Sequence, residues 1–145
     1  MAHLPSFELD DKVFVVTGAG RGIGRVIALD AAKSGAKLAV GSRTTAELEA
    51  LAEEIQGMGG ECFFHSLDVT DVSSIKAFFA AVVEHYGRID VLINNAGYNK
   101  LGKLLDYDEE LYDLIVDANL KNVFFCSQVV ARQMIEQGGG GSCFD

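Results

Sequence analysis

The octet Thr17-Gly18-Ala19-Gly20-Arg21-Gly22-Ile23-Gly24 follows directly on the apolar run Val13-Phe14-Val15-Val16. A β-branched and aromatic run that passes into close-packed glycines predicts a buried strand turning into a helix. Gly18 and Gly22 let the backbone turn sharply and approach a ligand with no Cβ in the way. Gly24 lets the new helix lie close to the sheet. The unpaired N–H groups of that helix's first turn then face an anion, as a pyrophosphate would require. The spacing is Gly-x-x-x-Gly-x-Gly rather than Gly-x-Gly-x-x-Gly, so the mechanics of the commonest dinucleotide turn carry over but its pattern does not. Taken alone, the cluster leaves open the plainer reading of a tight strand-to-helix turn.

Outward from the octet, strand and helix signals alternate. A lead over residues 1–11 holds the only proline, Pro5. A strand is expected over 12–17, and then a helix over 22–34 with Ile23, Val26 and Ile27 inward, closed by Gly35. A second strand covers 37–41. Thr44 and Glu47 have capping-box spacing, and Leu48, Leu51, Ala52 and Ile55 form the inner stripe of the helix that follows. A third strand spans 62–67. Asp71 is placed to cap a helix with Ile75, Phe78, Phe79, Val82 and Tyr86 inward, ended by Gly87. A fourth strand covers 89–93. Three alternations with short connections call for right-handed crossovers and a parallel sheet. The fold class is therefore α/β, a Rossmann-like doubly wound sheet of order 3-2-1-4, with its cleft beyond the carboxyl ends of strands 1 and 4. A short helical or loop segment at 101–106 and a long helix over 108–136 complete the pattern. Four glycines end that helix, and the last four residues are too few for a further strand and helix, so the sheet is expected to stop at four strands.

Composition narrows the function classes. The 145 residues form one domain, 49% hydrophobic, with a net charge of −9. That charge disfavours nucleic acid and anionic membrane as partners, and the apolar runs are too short to span a bilayer. The N-terminus lacks a secretory pattern. Cys62, Cys126 and Cys143 are odd in number and widely spaced, which fits a reducing cytoplasm better than disulfides or zinc. His3, His65 and His85 show no metal-ligand spacing, and no metal is expected.

Together, the octet 17–24, Asp68-Val69 after strand 3, Asn94-Asn95-Ala96-Gly97 after strand 4 and Asn119 in the long helix resemble the classical short-chain dehydrogenase/reductase family, its 3-oxoacyl-ACP reductase-like members among them. The resemblance spans the whole chain and a little more than the N-terminal half of a family member. It implies that Asp68 contacts adenine while Val69 offers its backbone. Residues 94–97, with Asn95, Ala96 and Gly97 at the cofactor, would steady the central strands and line the nicotinamide-ribose side. Asn119 would have a catalytic part, holding a water in a proton relay. Plainer readings stay open: Asp68 caps a turn, Gly97 takes positive φ in a turn, and Asn119 ties helix to loop. Helical spacing from Ile115 and to Val123 puts the Asn119 amide on the apolar face.

Cofactor choice is also legible. NAD-using family members carry an acidic residue at the end of strand 2, where this chain has Ser42 and then Arg43. A guanidinium suits a 2′-phosphate, and Arg21 adds charge on the same side. NADP(H) is expected over NAD(H), bound by Thr17, Gly18, Gly20, Arg21, Gly22, Ile23, Gly24, Ser42, Arg43, Asp68 and Val69 with the 95–97 turn. The resemblance implies that the family's serine and Tyr-x-x-x-Lys pair, counted forward from Asn119, fall beyond Asp145; Tyr86, Tyr98, Tyr107 and Tyr112 do not substitute, since none has a lysine four residues on. The chain thus reads as the cofactor half of a reductase or dehydrogenase for a small carbonyl or alcohol, inactive alone. A non-catalytic or regulatory NADP(H) module remains open, as does a partner of a complete homologue or a homo-oligomer.

Overall fold

The computed structural model describes residues 8–145, so His3 and Pro5 lie outside the described residues. Five parallel strands form one sheet in the order β3-β2-β1-β4-β5. The strands are β1 (Val13–Thr17), β2 (Lys37–Ser42), β3 (Glu61–Ser66), β4 (Val91–Ile93) and β5 (Ser142–Phe144). Helices α1 (Gly22–Lys33), α2 (Thr45–Gly57) and α3 (Val72–Tyr86) make the first three crossovers. A 3-10 turn (Leu104–Asp106), α4 (Glu109–Val116), a π-helical turn (Asp117–Lys121) and α5 (Asn122–Gln137) lead to β5.

The strand side chains alternate between two cores, as the pleat of a sheet covered on both faces demands. Val13, Val15, Ala39 and Leu92 pack with Phe78, Phe79 and Val82 of α3 and Cys126, Val130 and Met134 of α5. Val16, Leu38 and Val40 pack on the other face with Ala28 and Ala31 of α1 and Leu48, Leu51 and Ile55 of α2. The doubly wound order 3-2-1-4 is the one expected. At the β1 end nearest the chain start, buried Asp90 accepts from Val13 N at 2.9 Å and pairs with Arg88. Burial works to raise its carboxyl, but the bonds from Arg88 and the Val13 N–H outweigh it and hold the group below the usual carboxylate range.

Several local expectations change. Ile23 and Val26 are exposed, and α1 instead turns Gly24, Ala28 and Ala31 to the sheet. The helix lies so close that a Cβ on Gly24 would fall 2.3 Å from Asn95 Nδ2 and 2.7 Å from Gly18 O, so only small residues fit that face. Thr44 sits at the start of α2 without a side-chain cap bond, and the capping box with Glu47 does not form. Asp71 does cap α3, accepting from Ser73 N at 2.8 Å. The long helix is present as expected, running continuously over Glu109–Gln137, with a π turn between α4 and α5. The final residues also suffice for a strand: β5 pairs with β4, and Asn94 N donates to Phe144 O at 2.8 Å. β4 is therefore an inner strand, not the sheet edge. Finally, the helical stretch Glu109–Gln137 is long and apolar enough to cross a membrane by length and composition, which corrects the reading from short apolar runs. Its Ala118, Asn122, Cys126, Val130 and Met134 stripe is buried within this fold.

Candidate functional site

The cleft opens where β1 and β4 end and the order of the strands reverses. Its β1 wall is the octet. Gly18 has φ +67° and Gly22 φ +60°, in the left-handed region where glycine avoids the Cβ penalty. A Cβ on Gly18 would lie 2.8 Å from the Ala96 backbone, whereas one on Gly22 would meet nothing within 4 Å. Gly18 is thus required by the protein's own packing, and Gly22 by the turn beside open space. Arg21 is the N-cap of α1, with extended backbone and no side-chain cap bond, and the first turn carries no acidic residue. The N–H groups there are left for an anion, in the favourable field of the helix dipole. Gly20 is buried, and Arg21 and Ile23 are exposed.

Thr17 joins the two walls. Its side chain is fully buried. Oγ1 accepts from Asn95 N at 3.1 Å and Ala96 N at 3.0 Å, and donates to Ile93 O at 3.4 Å. In return, Asn95 Nδ2 donates to Thr17 O and Gly18 O, each at 3.1 Å. Buried Asn94 donates through Nδ2 to Ser127 Oγ at 3.1 Å. The Thr17 and Asn95 bonds tie the 94–97 turn to the end of β1, and the Asn94 bond ties it to α5. Gly97 does not take positive φ. It is glycine for lack of room, since a Cβ there would fall 2.7 Å from Asn119 Oδ1.

A cleft of ≈ 320 Å³ is lined by Gly18, Arg43, Asp68, Val69, Gly97 and Tyr98, among others. Asp68 is half-buried, and its Oδ1 accepts from Thr70 N at 3.0 Å and Thr70 Oγ1 at 2.7 Å. One carboxylate oxygen therefore organises the turn, and the plain capping reading holds for that oxygen. Val69 packs partly into the α3 core. Ser42 is occupied locally, donating from Oγ to Thr44 O at 3.3 Å.

A carboxylate does reach the end of β2, contrary to the sequence reading. A Cβ on Gly20 would lie 2.6 Å from Glu47 Oε2 and 3.3 Å from Ser42 Oγ, so Glu47 of α2 stands over the glycine turn beside Ser42. The failed capping box is the reason: the Glu47 side chain is turned to the octet rather than back to Thr44.

Asn119 sits in the π turn and is exposed rather than on the apolar face. Its Nδ2 donates to Tyr98 O at 2.6 Å and Ile115 O at 2.7 Å, and its Oδ1 accepts from Tyr98 N at 3.3 Å. It ties helix to loop. The buried amide of this region is Asn122, which the sequence reading missed. The extra residue of a π turn shifts the helical phase, turning Asn119 out and Asn122 in. The signal was present: Asn122 stands four residues before Cys126 and eight before Val130, in line with the buried stripe.

This fold is that of a Rossmann-like doubly wound α/β protein with a cleft at its switch point, and the comparisons give its family. Residues 12–142 match the family described as short chain dehydrogenase. The chain belongs to that family. It is 43% identical over 138 residues to the L-rhamnose 1-dehydrogenase (NAD(P)(+)) of Azotobacter vinelandii, covering 92% of this chain and 54% of that protein. It is 40% identical over 132 residues to the 3-oxoacyl-[acyl-carrier-protein] reductase FabG of Thermotoga maritima, covering 91% and 54%. A metagenomic short-chain oxidoreductase solved in complex with NADP superposes with a TM-score of 0.88 at 35% identity, over 93% of this chain and 61% of that one. An alcohol dehydrogenase from Thermococcus sibiricus complexed with 5-hydroxy-NADP gives 0.86 at 36%, over 92% and 57%. The chain thus spans about half the length of the curated relatives it matches.

Proposed function

We propose that the chain binds NADP(H) in preference to NAD(H) and forms the cofactor-holding part of an oxidoreductase that interconverts a carbonyl and a secondary alcohol. The observation that carries the reading is the glycine turn: Gly22 at positive φ beside open space, at the foot of a helix with no cap of its own. A pyrophosphate is the group whose size and charge suit that turn. When bound, the nicotinamide supplies the hydride donor or acceptor.

The chain's own residues bind and orient. The first-turn N–H groups of α1 take the phosphates. Asp68 and Val69 flank the adenosine side, and Arg43 on the same wall offers a guanidinium to a 2′-phosphate. The carboxylate of Glu47 opposes that phosphate, so the preference is smaller than Arg43 alone would give. Both Nδ2 protons of Asn119 are taken by Tyr98 O and Ile115 O, and its Oδ1 accepts from Tyr98 N, so the second lone pair of Oδ1 is what could hold a water, by accepting a hydrogen bond from it. None of the four tyrosines has a lysine four residues on, so within these residues no paired general acid stands ready.

Calorimetric titration with NADPH and NADH tests the reading. NADPH should bind more tightly, and Arg43→Asp should remove the advantage. Loss of one charge-assisted contact costs on the order of 1.5–3 kcal/mol, roughly 10- to 150-fold in affinity. Equal affinities in the parent chain overturn the NADP(H) assignment; no binding of either overturns the dinucleotide reading. In the same samples, NADPH absorbance with ketones and aldehydes should show no saturable turnover.

A further inference from the structure

We propose that Asn122 is a positioning residue for the β4 side of the cleft, holding the 96–98 segment against the π turn so that the nicotinamide half of the ligand depends on it and the adenosine half does not. The inference rests on the dinucleotide reading above. Asn122 is fully buried at the first position of α5. Its Nδ2 donates to Ala96 O at 3.2 Å and also to Ala118 O. One turn away, Asn119 takes both the O and the N of Tyr98. Two amides from one helical turn therefore grip three backbone groups of the 96–98 segment. The other end of the same turn is gripped separately, through Asn95 and Ala96 N, by Thr17 and the glycine turn.

The two grips face different halves of a dinucleotide. With the pyrophosphate at the octet and adenosine toward β2 and β3, the remaining mononucleotide must lie toward β4. The Thr17 grip stands by the pyrophosphate, and the Asn122 grip stands beyond it. Asn122 is also a poor choice for simple filling. Its Oδ1 is buried with no hydrogen-bond partner among the described residues. A half-satisfied buried amide is less favourable than an apolar side chain of the same shape. Its neighbours in the stripe, Ala118, Cys126, Val130 and Met134, are apolar. A leucine would continue that stripe but would release Ala96 O.

The test uses the 145-residue chain, with NADPH as the whole ligand and adenosine 2′,5′-bisphosphate as its adenosine half. Asn122→Leu should weaken NADPH by about tenfold or more, ~1.4 kcal/mol or above, and leave the bisphosphate unchanged. In the ligand-free chain, amide hydrogen exchange should quicken at Gly97 and Tyr98 while the melting temperature does not fall. Asn122→Ser carries the same binding and exchange expectation, with a modest fall in melting temperature from the smaller buried side chain, and guards against a leucine variant that fails to fold, since its hydroxyl can bond back to Ala118 O but is too short for Ala96. Parallel losses for both ligands, with a lowered melting temperature, would show a structural residue only and overturn the proposal. So would unchanged NADPH binding in a parent chain that binds both probes. A parent chain that binds neither removes the dinucleotide reading first, and this inference with it.

Discussion

Replacing Thr17 with valine removes one oxygen and adds one methyl at almost constant volume, in a side chain with no exposed surface. The hydroxyl accepts from two backbone donors, Asn95 N and Ala96 N. Valine leaves both N–H groups without that partner in a partly buried site. Each unsatisfied donor costs about 1–3 kcal/mol. The two share one acceptor and relax together, so the losses will not add fully, and about 2–4 kcal/mol is expected. The added methyl returns a fraction of this. With a urea m-value of about 2 kcal/mol per M, the midpoint should fall by roughly 1–2 M. Thr17→Ser is the control: it keeps the oxygen, deletes a methyl and should cost only about 1 kcal/mol. Urea unfolding followed by circular dichroism measures all three proteins, and unchanged m-values confirm that the denatured states are comparable. The valine variant should also bind NADPH less well than the serine variant, because the 95–97 turn is no longer fixed to the end of β1. A valine variant as stable as the serine variant would refute the view that this hydroxyl is the hinge pin of the cleft.

Two other perturbations separate binding from folding. Gly22→Val should abolish NADPH binding while the far-UV spectrum stays native-like, because its side chain would enter open space at φ +60°, with a backbone cost of about 1–3 kcal/mol; undiminished binding by a folded variant would sink the phosphate-turn role. Asp90 has a lowered carboxyl pKa in the folded chain. Its stabilisation is therefore present above the unfolded value of about 3.9 and is lost as pH falls through the folded value. Melting temperatures across that acid range should drop less steeply for Asp90→Asn than for the parent, with Asp71, also lowered, contributing equally to both; identical acid limbs would refute the linkage.

What the sequence made legible was periodicity and punctuation. Apolar runs bounded by glycines set the alternation of strands and helices, and the inner faces of α2 and α3 followed from residues spaced three and four apart. The errors have physical causes. In α1, the large residues Ile23 and Val26 drew the inward face toward themselves, although Gly24, Ala28 and Ala31 form an equally periodic stripe of small residues. Close packing on the sheet selects the small stripe, and hydrophobicity alone does not report closeness. At Asn119, helical counting ran through a segment whose local period changes, and no residue type announces a π turn. The last four residues are too few for a further packed strand and helix, yet a strand added to an existing edge needs only its ladder bonds, and Ser142–Phe144 supply them. Glu47 was assigned to a cap by spacing, and its actual direction depended on the neighbouring octet, a tertiary matter.

The site residues divide by what their polar atoms are doing. Thr17, Asn95, Asn119 and Asn122 all direct their side chains at backbone groups of the two walls. They hold main chain in place; the main chain, at the octet and along residues 95–98, is what a ligand would meet. Backbone N–H and C=O groups recognise phosphate and carboxamide by geometry, and they do not titrate near neutral pH, so these wall groups are suited to binding and orientation. Among side chains that line it, Arg43 and Asp68 carry charge and stand on the β2 and β3 side, in a cleft that Leu114 of α4 and Ala118 of the π turn also line. On the NADP(H) reading proposed above, selecting one cofactor over another would fall to the charged pair, and positioning to the side chains that hold the two walls. That separation is what lets one titration series, with a whole dinucleotide and its adenosine half, report on the two ends independently.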